Sequence, residues 1–248
     1  MSGHSKWSSI KHKKGAADAK RGKLFTKLVK EIVVAAKEGG ADIETNPRLR
    51  LAVSSAKSAN MPNSNIDKAV KKGSGDSDGV SYEHFTYEGY GHNGVAIFVE
   101  TLTDNKQRTV AEVRHAFSKY GGNLAENGAV AWMFEHKGMI LVPKGELDEE
   151  EIMMAALDAG ADDMITEEEH FEIYTPYTEL HNVMKALEAD YTIEKAELTM
   201  IPKNTVNADD VAAKLFKLLD FLEDLDDVQK VYANFEISDE TMERLAGD

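Results

Sequence analysis

Along the first 75 residues, apolar side chains recur with the 3.6-residue period of an amphipathic helix. This period predicts one helix over residues 23–37, terminated by the glycine pair at 39 and 40. A second helix is predicted to begin at Asn46-Pro47, because asparagine is a favourable N-cap and proline fits the first helical position. A third helix is predicted over residues 63–72. Together the three helices indicate one small bundle.

Beyond residue 79 the period of apolar positions changes to two, which is typical of half-buried strands. In chain order, the predicted elements are strands 82–88 and 94–101, helix 104–120, strand 129–136, strand 138–143, helix 148–158, strands 163–167 and 171–175, helix 176–188, strand 192–200, helix 208–223 and strand 229–237. The set from 138 to 200 reads βαββαβ and is complete by itself. The set before it reads ββαβ, and the C-terminal helix and strand could supply its missing end.

These patterns predict a multi-domain α+β protein, with an N-terminal three-helix domain plus two ferredoxin-like α+β domains, one inserted into the other. The predicted domains are residues 1–76 for a basic arm and helical domain, 77–136 plus 203–248 for a discontinuous α+β domain, and 137–202 for the inserted βαββαβ domain.

The composition excludes several classes of chemistry. The 248-residue chain contains no cysteine, which removes disulfides, thiol nucleophiles, iron–sulfur ligation and cysteine-based zinc sites. Its longest aliphatic stretches, such as residues 32–36, fall far short of the roughly 20 residues that span a bilayer. We therefore expect a cytoplasmic protein that contacts no membrane.

Charge is divided unevenly along the chain. The formal net charge is -15, but residues 1–75 hold 16 Lys plus Arg against 6 Asp plus Glu, and the remaining residues hold 13 against 38. Such asymmetry points to nucleic-acid contact through the basic part, because each phosphate that Lys or Arg neutralises releases a condensed counterion. The alternative is that the two oppositely charged parts attract each other within the monomer.

No sequence motif supports catalysis. The glycines at 89, 91 and 94 match the dinucleotide-binding spacing, but a strand follows them instead of a helix, which predicts a glycine-rich hairpin connection. No P-loop occurs, and the histidines show no short pair with metal-ligand spacing. The acidic clusters at 148–151 and 167–169 are interpreted as solvated surface. We expect a non-enzymatic protein without metal or cofactor.

One group of residues near the N-terminus has the character of a nucleic-acid-binding surface. Cations track phosphates, and an aromatic ring on a polar arm can stack on an unpaired base. On the predicted first helix, the lysines at 23, 27, 30 and 37 fall on one stripe opposite the apolar side, so we expect an exposed ridge. The candidate residues are His4, Lys6, Trp7, Lys11, His12, Lys13, Lys14, Lys20, Arg21, Lys23, Lys27, Lys30, Arg48 and Arg50.

Several interpretations of these basic residues stay open. The ridge could be an ordinary solvated helix face, and Trp7 could dock onto its own helical domain. The lysines at 57, 68, 71 and 72 could widen the patch. Arg108, His115 and Lys119 could form a second basic contact surface, although the outer face of an ordinary amphipathic helix explains them as well.

Several long blocks of sequence resemble the YebC/PmpR family, which includes the translational activator of mitochondrial cytochrome c oxidase. The blocks are GHSKWSSIKHKK at 3–14, DAKRGKLFTKLVKEI at 18–32, NPRLR at 46–50, NMPNSNIDKAVKKG at 60–73, YEGYG at 87–91, TDNKQRTVAEVRHAFSKYGGNL at 103–124 and DDVQKVYANFEI at 226–237. The resemblance covers essentially the whole chain. It implies one helical and two α+β domains and a DNA-binding transcriptional regulator, and some relatives look like ribosome-associated translation factors. His92-Asn93 departs from the family's usual GYGPGG turn.

Two versions of the function therefore remain. The family's customary description favours DNA binding and transcription regulation. A basic aromatic arm on an otherwise acidic chain suits folded RNA equally well, so ribosomal RNA or tRNA, RNA binding on the ribosome and translation regulation form the alternative. A protein-interaction adaptor and an enzyme that uses the α+β domains are further alternatives. We expect a monomer.

Overall fold

The computed structural model describes residues 17–75 and 81–247, with side chains for 21–75 and 81–245. In this part of the chain the helices are α1 Ala17–Gly39, α2 Pro47–Ser58, α3 Asn63–Ser74, α4 Lys106–Lys119, α5 Glu149–Asp158, α6 Leu180–Leu187, α7 Ala212–Glu223 and α8 Asp239–Gly247. The strands are β1 Glu83–Tyr90, β2 Ala96–Thr103, β3 Asn123–Leu124, β4 Phe134–Pro143, β5 Asp163–Thr166, β6 His170–Pro176, β7 Lys195–Pro202, β8 Val206–Asn207, β9 Val228–Ala233 and β10 Phe235–Glu236.

The described residues divide into two compact units. The first unit takes 17–30, 81–135 and 201–247, and the second takes 31–75 and 136–200. The division falls inside α1, after Lys30. The three domains predicted from the sequence, with their bounds, stay a prediction.

The first unit contains a four-stranded antiparallel sheet in the order β3-β1-β2-β9. Its two edges come from distant parts of the chain, because β9 pairs with β2 through Val99↔Val231, and β3 pairs with β1 through Gly89↔Leu124. Helices α4 and α7 pack with the sheet in one apolar core. The core includes Ile97, Val99, Val113, Phe117, Leu215 and Leu219.

The second unit contains a complete βαββαβ set, β4-α5-β5-β6-α6-β7. Its sheet order is β5-β6-β4-β7, which is the ferredoxin-like order. Ile173 lies opposite both Ile140 and Met164 in the register. The apolar core between the sheet and its helices includes Ile140, Val142, Ile152, Phe171, Val183 and Leu187. The sheet and helix arrangement confirms the predicted multi-domain α+β fold class.

The helical part of the second unit is fixed by Asn46. Its side-chain oxygen accepts from the Leu49 N–H at 3.0 Å, which caps α2 as the sequence predicts. Its amide nitrogen donates to the carbonyl oxygens of Ala35 at 2.7 Å and Gly40 at 2.8 Å. The buried Asn46 side chain therefore links the end of α1 to the start of α2 by hydrogen bonds.

The predicted strand 129–136 is wrong. Residues 131–133 form a 3₁₀ turn, and β4 runs without a break from Phe134 to Pro143. The short strand β3 takes the predicted place in the first sheet. Val130, Trp132 and Phe134 are apolar at every second position, as in a strand, but the N–H groups of Gly128, Val130 and Ala131 donate to the buried Glu88 carboxylate instead of to a neighbouring strand.

The glycine-rich segment 89–94 forms a hairpin connection, as predicted. It joins β1 to β2, whose last pair is Tyr90↔Ala96. The turn needs positive φ at two residues, 57° at Asn93 and 74° at Gly94. Asparagine and glycine tolerate this conformation best. His92-Asn93 is thus compatible with the turn.

Candidate nucleic-acid interface

Half of the predicted binding residues lie outside the described part of the chain. They are His4, Lys6, Trp7, Lys11, His12, Lys13 and Lys14. Lys20 lies in α1, but its side chain also falls outside the description. The role of these residues stays a prediction. Arg21 is exposed at the start of α1, and its guanidinium lies 5.4 Å from the centre of the Phe25 ring.

The predicted lysine ridge of α1 meets the C-terminal end of α7. Lys23 Nζ donates to the carbonyl oxygen of Asp224 at 3.0 Å, and Lys27 Nζ donates to that of Glu223 at 2.6 Å. Lys30 Nζ donates to the carbonyl oxygen of Asp226 at 2.8 Å. The last carbonyls of a helix lack intrahelical partners and carry partial negative charge. Lys23 and Lys27 therefore cap α7, and Lys30 binds the loop that follows it.

The expectation of an exposed ridge is wrong for Lys30, which is only 8% exposed. Lys27 is half-buried, whereas the Lys23 side chain keeps 45% of its surface exposed. A helical projection gives the direction of each side chain from the helix axis, but it does not show which distant residues lie beside it. Lys37, the last residue of the predicted ridge, is exposed, so the ridge is buried only around Lys27 and Lys30.

Asp227 explains why Lys30 is buried. This carboxylate is 1% exposed and accepts from Lys30 Nζ at 2.9 Å and Arg108 Nη2 at 2.7 Å. It also accepts from the hydroxyls of Thr103 at 3.0 Å and Thr109 at 2.9 Å. Burial alone would raise the pKa of Asp227, but hydrogen bonds from Lys30, Arg108 and Thr109 outweigh it and lower the pKa.

Arg108, His115 and Lys119, suggested as a second basic surface, are all exposed, but Arg108 and Lys119 already contact other side chains. Arg108 is bound to Asp227 and, at 2.8 Å, to Asp104. Lys119 Nζ lies 4.9 Å from the centre of the Phe221 ring. These contacts favour the other interpretation, an amphipathic helix with a partly basic outer face.

Arg48 and Arg50 both form hydrogen bonds within the second unit. Arg48 Nε donates to Glu31 at 2.8 Å, and its Nη1 bonds to Glu38. Burial would lower the pKa of Arg48, but its bonds to Glu31 and Glu38 outweigh it and raise the pKa. Arg50 Nε donates to the carbonyl oxygen of Ile43 at 3.0 Å, and Nη1 lies 2.8 Å from His181 Nε2. A role for either arginine in nucleic-acid binding stays a prediction.

Three further exposed lysines of the basic N-terminal region lie together on α3. Lys68, Lys71 and Lys72 are exposed and form no salt bridge with any described residue. At 100° per residue they share one stripe, opposite the buried Ile66 and Ala69. We call these three residues the α3 lysine face. In the sequence, these lysines are predicted only to widen the basic patch, although a helical projection of residues 63–74 places them on one stripe.

The described residues hold neither a side-chain cluster arranged for a metal ion nor a membrane-spanning helix. Between 17 and 75 and between 81 and 247, no group of three or more His, Asp or Glu is arranged to hold a metal ion. Within the same ranges, no helix has both the length and the apolar character needed to cross a bilayer.

The fold and the charge distribution define a class, a multi-domain α+β protein with a basic helical N-terminal region. Comparison with known proteins identifies the family. The model of the TACO1/YebC N-terminal domain matches residues 5–76, and the model of the TACO1/YebC second and third domain matches residues 82–235. The chain therefore belongs to the TACO1/YebC family, as the sequence blocks indicated.

Full-length relatives agree with this membership. A protein of Persephonella marina, named a probable transcriptional regulatory protein, is 57% identical over 99% of this chain and 100% of its own length. A protein of Syntrophobacter fumaroxidans with the same name is 55% identical over 99% and 100%. The crystal structure of a conserved hypothetical protein from Aquifex aeolicus is similar, with a TM-score of 0.83 and 50% identity over 90% of this chain and 93% of that one.

Proposed function

We propose that this protein is a non-enzymatic, cytoplasmic regulator of gene expression that binds nucleic acid through its basic N-terminal region, as a transcriptional regulator on DNA. The observation that carries the proposal is the charge partition, with 16 Lys plus Arg against 6 Asp plus Glu in residues 1–75 of a chain whose net charge is -15. The names of the relatives, probable transcriptional regulatory proteins, support a regulatory role.

The contacts of α1 change which residues are expected to carry the binding. Lys30 neutralises Asp227, so it has little charge left to offer a phosphate. The segment before residue 17, the α3 lysine face and the start of α1, with Lys20, Arg21 and Lys23, are the remaining candidates. An exposed lysine without an ion-pair partner can neutralise a phosphate and release its counterion without breaking an internal contact.

A second candidate function is RNA binding as a ribosome-associated translation factor. The α3 lysine face favours it because lysines bind phosphate as point charges, and α3 contains no arginine for bidentate contact with guanine in a major groove. Phosphate contacts position a protein on a nucleic acid without reading its sequence. Folded RNA, including ribosomal RNA or tRNA, presents closely spaced phosphates, and a protein can bind them without recognising the base sequence.

A salt titration tests the proposal. Affinity for a 20-base-pair DNA duplex and for a ribosomal RNA hairpin would be measured by fluorescence anisotropy from 50 to 300 mM salt. The triple variant Lys68→Gln, Lys71→Gln, Lys72→Gln should bind at least tenfold more weakly at low salt, and its salt slope should fall by about 1 per lysine.

The chain offers a matched control. Lys214 and Lys217 on α7 are also exposed and form no salt bridge with described residues, but they lie in the acidic part of the sequence. Lys214→Gln with Lys217→Gln should leave affinity and slope unchanged. Equal losses in both variants, or no binding by the unmodified chain to either nucleic acid, would contradict the proposal. Tighter binding of the hairpin at 150 mM salt would favour the RNA function over the DNA function.

A further inference from the structure

Trp132 is an exposed aromatic side chain that the charge argument does not use. Its relative exposure is 63%, whereas tryptophan is on average one of the more buried residues. Within the described part of the chain, its ring makes no aromatic or cation–π contact. An indole left in water on a folded protein is a feature of binding surfaces.

The polar atom of this indole is already satisfied. Trp132 Nε1 donates to the carbonyl oxygen of Ala129 at 3.0 Å, and the same oxygen accepts from the Tyr90 hydroxyl at 3.1 Å. This bond fixes the ring relative to its own loop. The π-system is therefore the part of the side chain that is left to contact a ligand.

The loop that carries Trp132 is held by a buried carboxylate. Glu88 in β1 is 3% exposed and accepts from the N–H groups of Gly128 at 2.7 Å, Val130 at 2.6 Å and Ala131 at 2.8 Å. Burial would raise the pKa of Glu88, but these three hydrogen bonds outweigh it and lower the pKa. A carboxylate is stable out of water only with such partners. The loop is thus preorganised around the exposed ring.

A cation lies next to the loop. The Lys203 N–H donates to the carbonyl oxygen of Met133 at 2.8 Å, which places Lys203 beside the residue that follows Trp132. Its side chain is exposed and forms no salt bridge with the described residues. Aromatic rings paired with nearby cations are the elements with which proteins bind single-stranded nucleic acid.

We propose that Trp132 is a stacking platform for one unpaired base of a single-stranded nucleic acid, with Lys203 contacting a neighbouring phosphate. This inference rests on the proposed nucleic-acid binding. A nucleobase fits better than a protein partner, because the exposed residues near Trp132 in the sequence, Glu126, Asn127 and Glu135, are polar, so the loop presents a single apolar ring rather than a run of apolar side chains. Stacking suits bases of any sequence.

The chain contains two tryptophans, which allows the site to be observed directly. In Trp7→Phe, all indole emission comes from Trp132, and phenylalanine keeps a ring at position 7. Titration with a 12-nucleotide single-stranded oligouridine should quench this emission. A 12-base-pair DNA duplex, whose bases are already stacked, should bind without comparable quenching.

Affinity provides the second readout. Trp132→Ala should weaken oligouridine binding about five- to 150-fold, and Trp132→Phe should retain most of the affinity, because it keeps a stacking ring. Lys203→Gln should lower the salt slope by about 1. Tyr177→Ala is the matched control, since Tyr177 is another exposed aromatic residue, with 51% exposure, and should leave affinity unchanged.

The outcomes separate this inference from the function on which it rests. If the unmodified chain binds neither oligouridine nor duplex, the proposed function fails first. If it binds them while Trp132 emission stays constant and Trp132→Ala binds equally well, only the stacking site is overturned. Loss of self-association in Trp132→Ala, seen by sedimentation with unchanged nucleic-acid affinity, would assign the ring to a protein contact and also overturn the proposal.

Discussion

A single buried carboxylate, Asp227, binds two cations in the first unit. It gathers Lys30 from α1 and Arg108 from α4, together with the hydroxyls of Thr103 and Thr109. A charge removed from water needs a partner of opposite sign and further hydrogen bonds. Two side chains that resemble external nucleic-acid ligands in the sequence are therefore internal counterions.

Removing this charge should destabilise the fold strongly. Asp227→Asn leaves the ammonium group of Lys30, itself largely buried, without a carboxylate partner. We expect the free energy of unfolding, measured by urea titration at pH 7, to fall by about 3 to 5 kcal/mol. Asp224→Asn is the control, because the Asp224 side chain is 57% exposed and lies 3.9 Å from Lys23. It should change stability by less than about 1 kcal/mol.

The same variant should alter the acid sensitivity of the protein. The pKa of Asp227 is lowered in the folded state, so the unfolded state binds more protons when the medium becomes acidic. The stabilisation from Asp227 is complete above the ordinary aspartate pKa and is lost as pH falls through the lower folded value. Asp227→Asn should therefore lose less stability than the unmodified chain between pH 5 and pH 3. An equal or steeper loss would contradict this account.

At the scale of helices and strands, local sequence signals predicted most of the structure. Asn46-Pro47 marks the start of α2, and Asp148 caps α5 by accepting from the N–H groups of Glu150 and Glu151. Such signals act between residues close in the chain, so one sequence suffices to detect them. The two-residue strand β3 was missed, since a pattern of period two needs more residues to be recognised.

The candidate interface was less predictable than the fold. Whether a lysine faces solvent depends on which distant residue lies beside it, and Asp227 is 197 residues from Lys30 in the chain. No periodicity encodes that neighbour. The exposure of Trp132 could not be predicted from the sequence either. Its loop is held by Glu88, which lies 44 positions earlier and looks like any other glutamate in a strand.

The packing of α3 against α1 depends on a glycine. A Cβ atom on Gly73 would overlap the carbonyl oxygen of Val33 and lie 2.8 Å from the Ala36 Cβ. Backbone atoms cannot move aside as a flexible side chain can, so Gly73→Ala should lower the free energy of unfolding by about 1 to 3 kcal/mol. The measurement is again urea unfolding at pH 7.

An exposed position on the same helix provides the comparison. Ser64→Ala changes an exposed residue in the first turn of α3 and should alter stability by no more than about 0.5 kcal/mol. If Gly73→Ala were as stable as the unmodified chain, the close approach of the two helices would not be the reason for glycine at this position.

At the scale of the whole molecule, the net charge of -15 opposes any polyanion. The acidic residues after position 75 should repel nucleic acid during its approach, so that binding through the basic part takes place against an unfavourable long-range field. This repulsion should act mainly at low salt, since the Debye length falls from about 30 Å at 0.01 M to about 10 Å at 0.1 M.

Neutralising part of the acidic surface should therefore speed association. Glu149, Glu150 and Glu151 are exposed in the first turn of α5. In the triple variant with glutamine at these positions, the association rate with duplex DNA, measured by stopped-flow anisotropy, should rise roughly two- to tenfold at 20 mM salt. At 300 mM salt the two proteins should associate at the same rate, which provides the internal control. A slower rate, or an increase that persists at high salt, would mean that these carboxylates affect binding by direct contact and not through the long-range field.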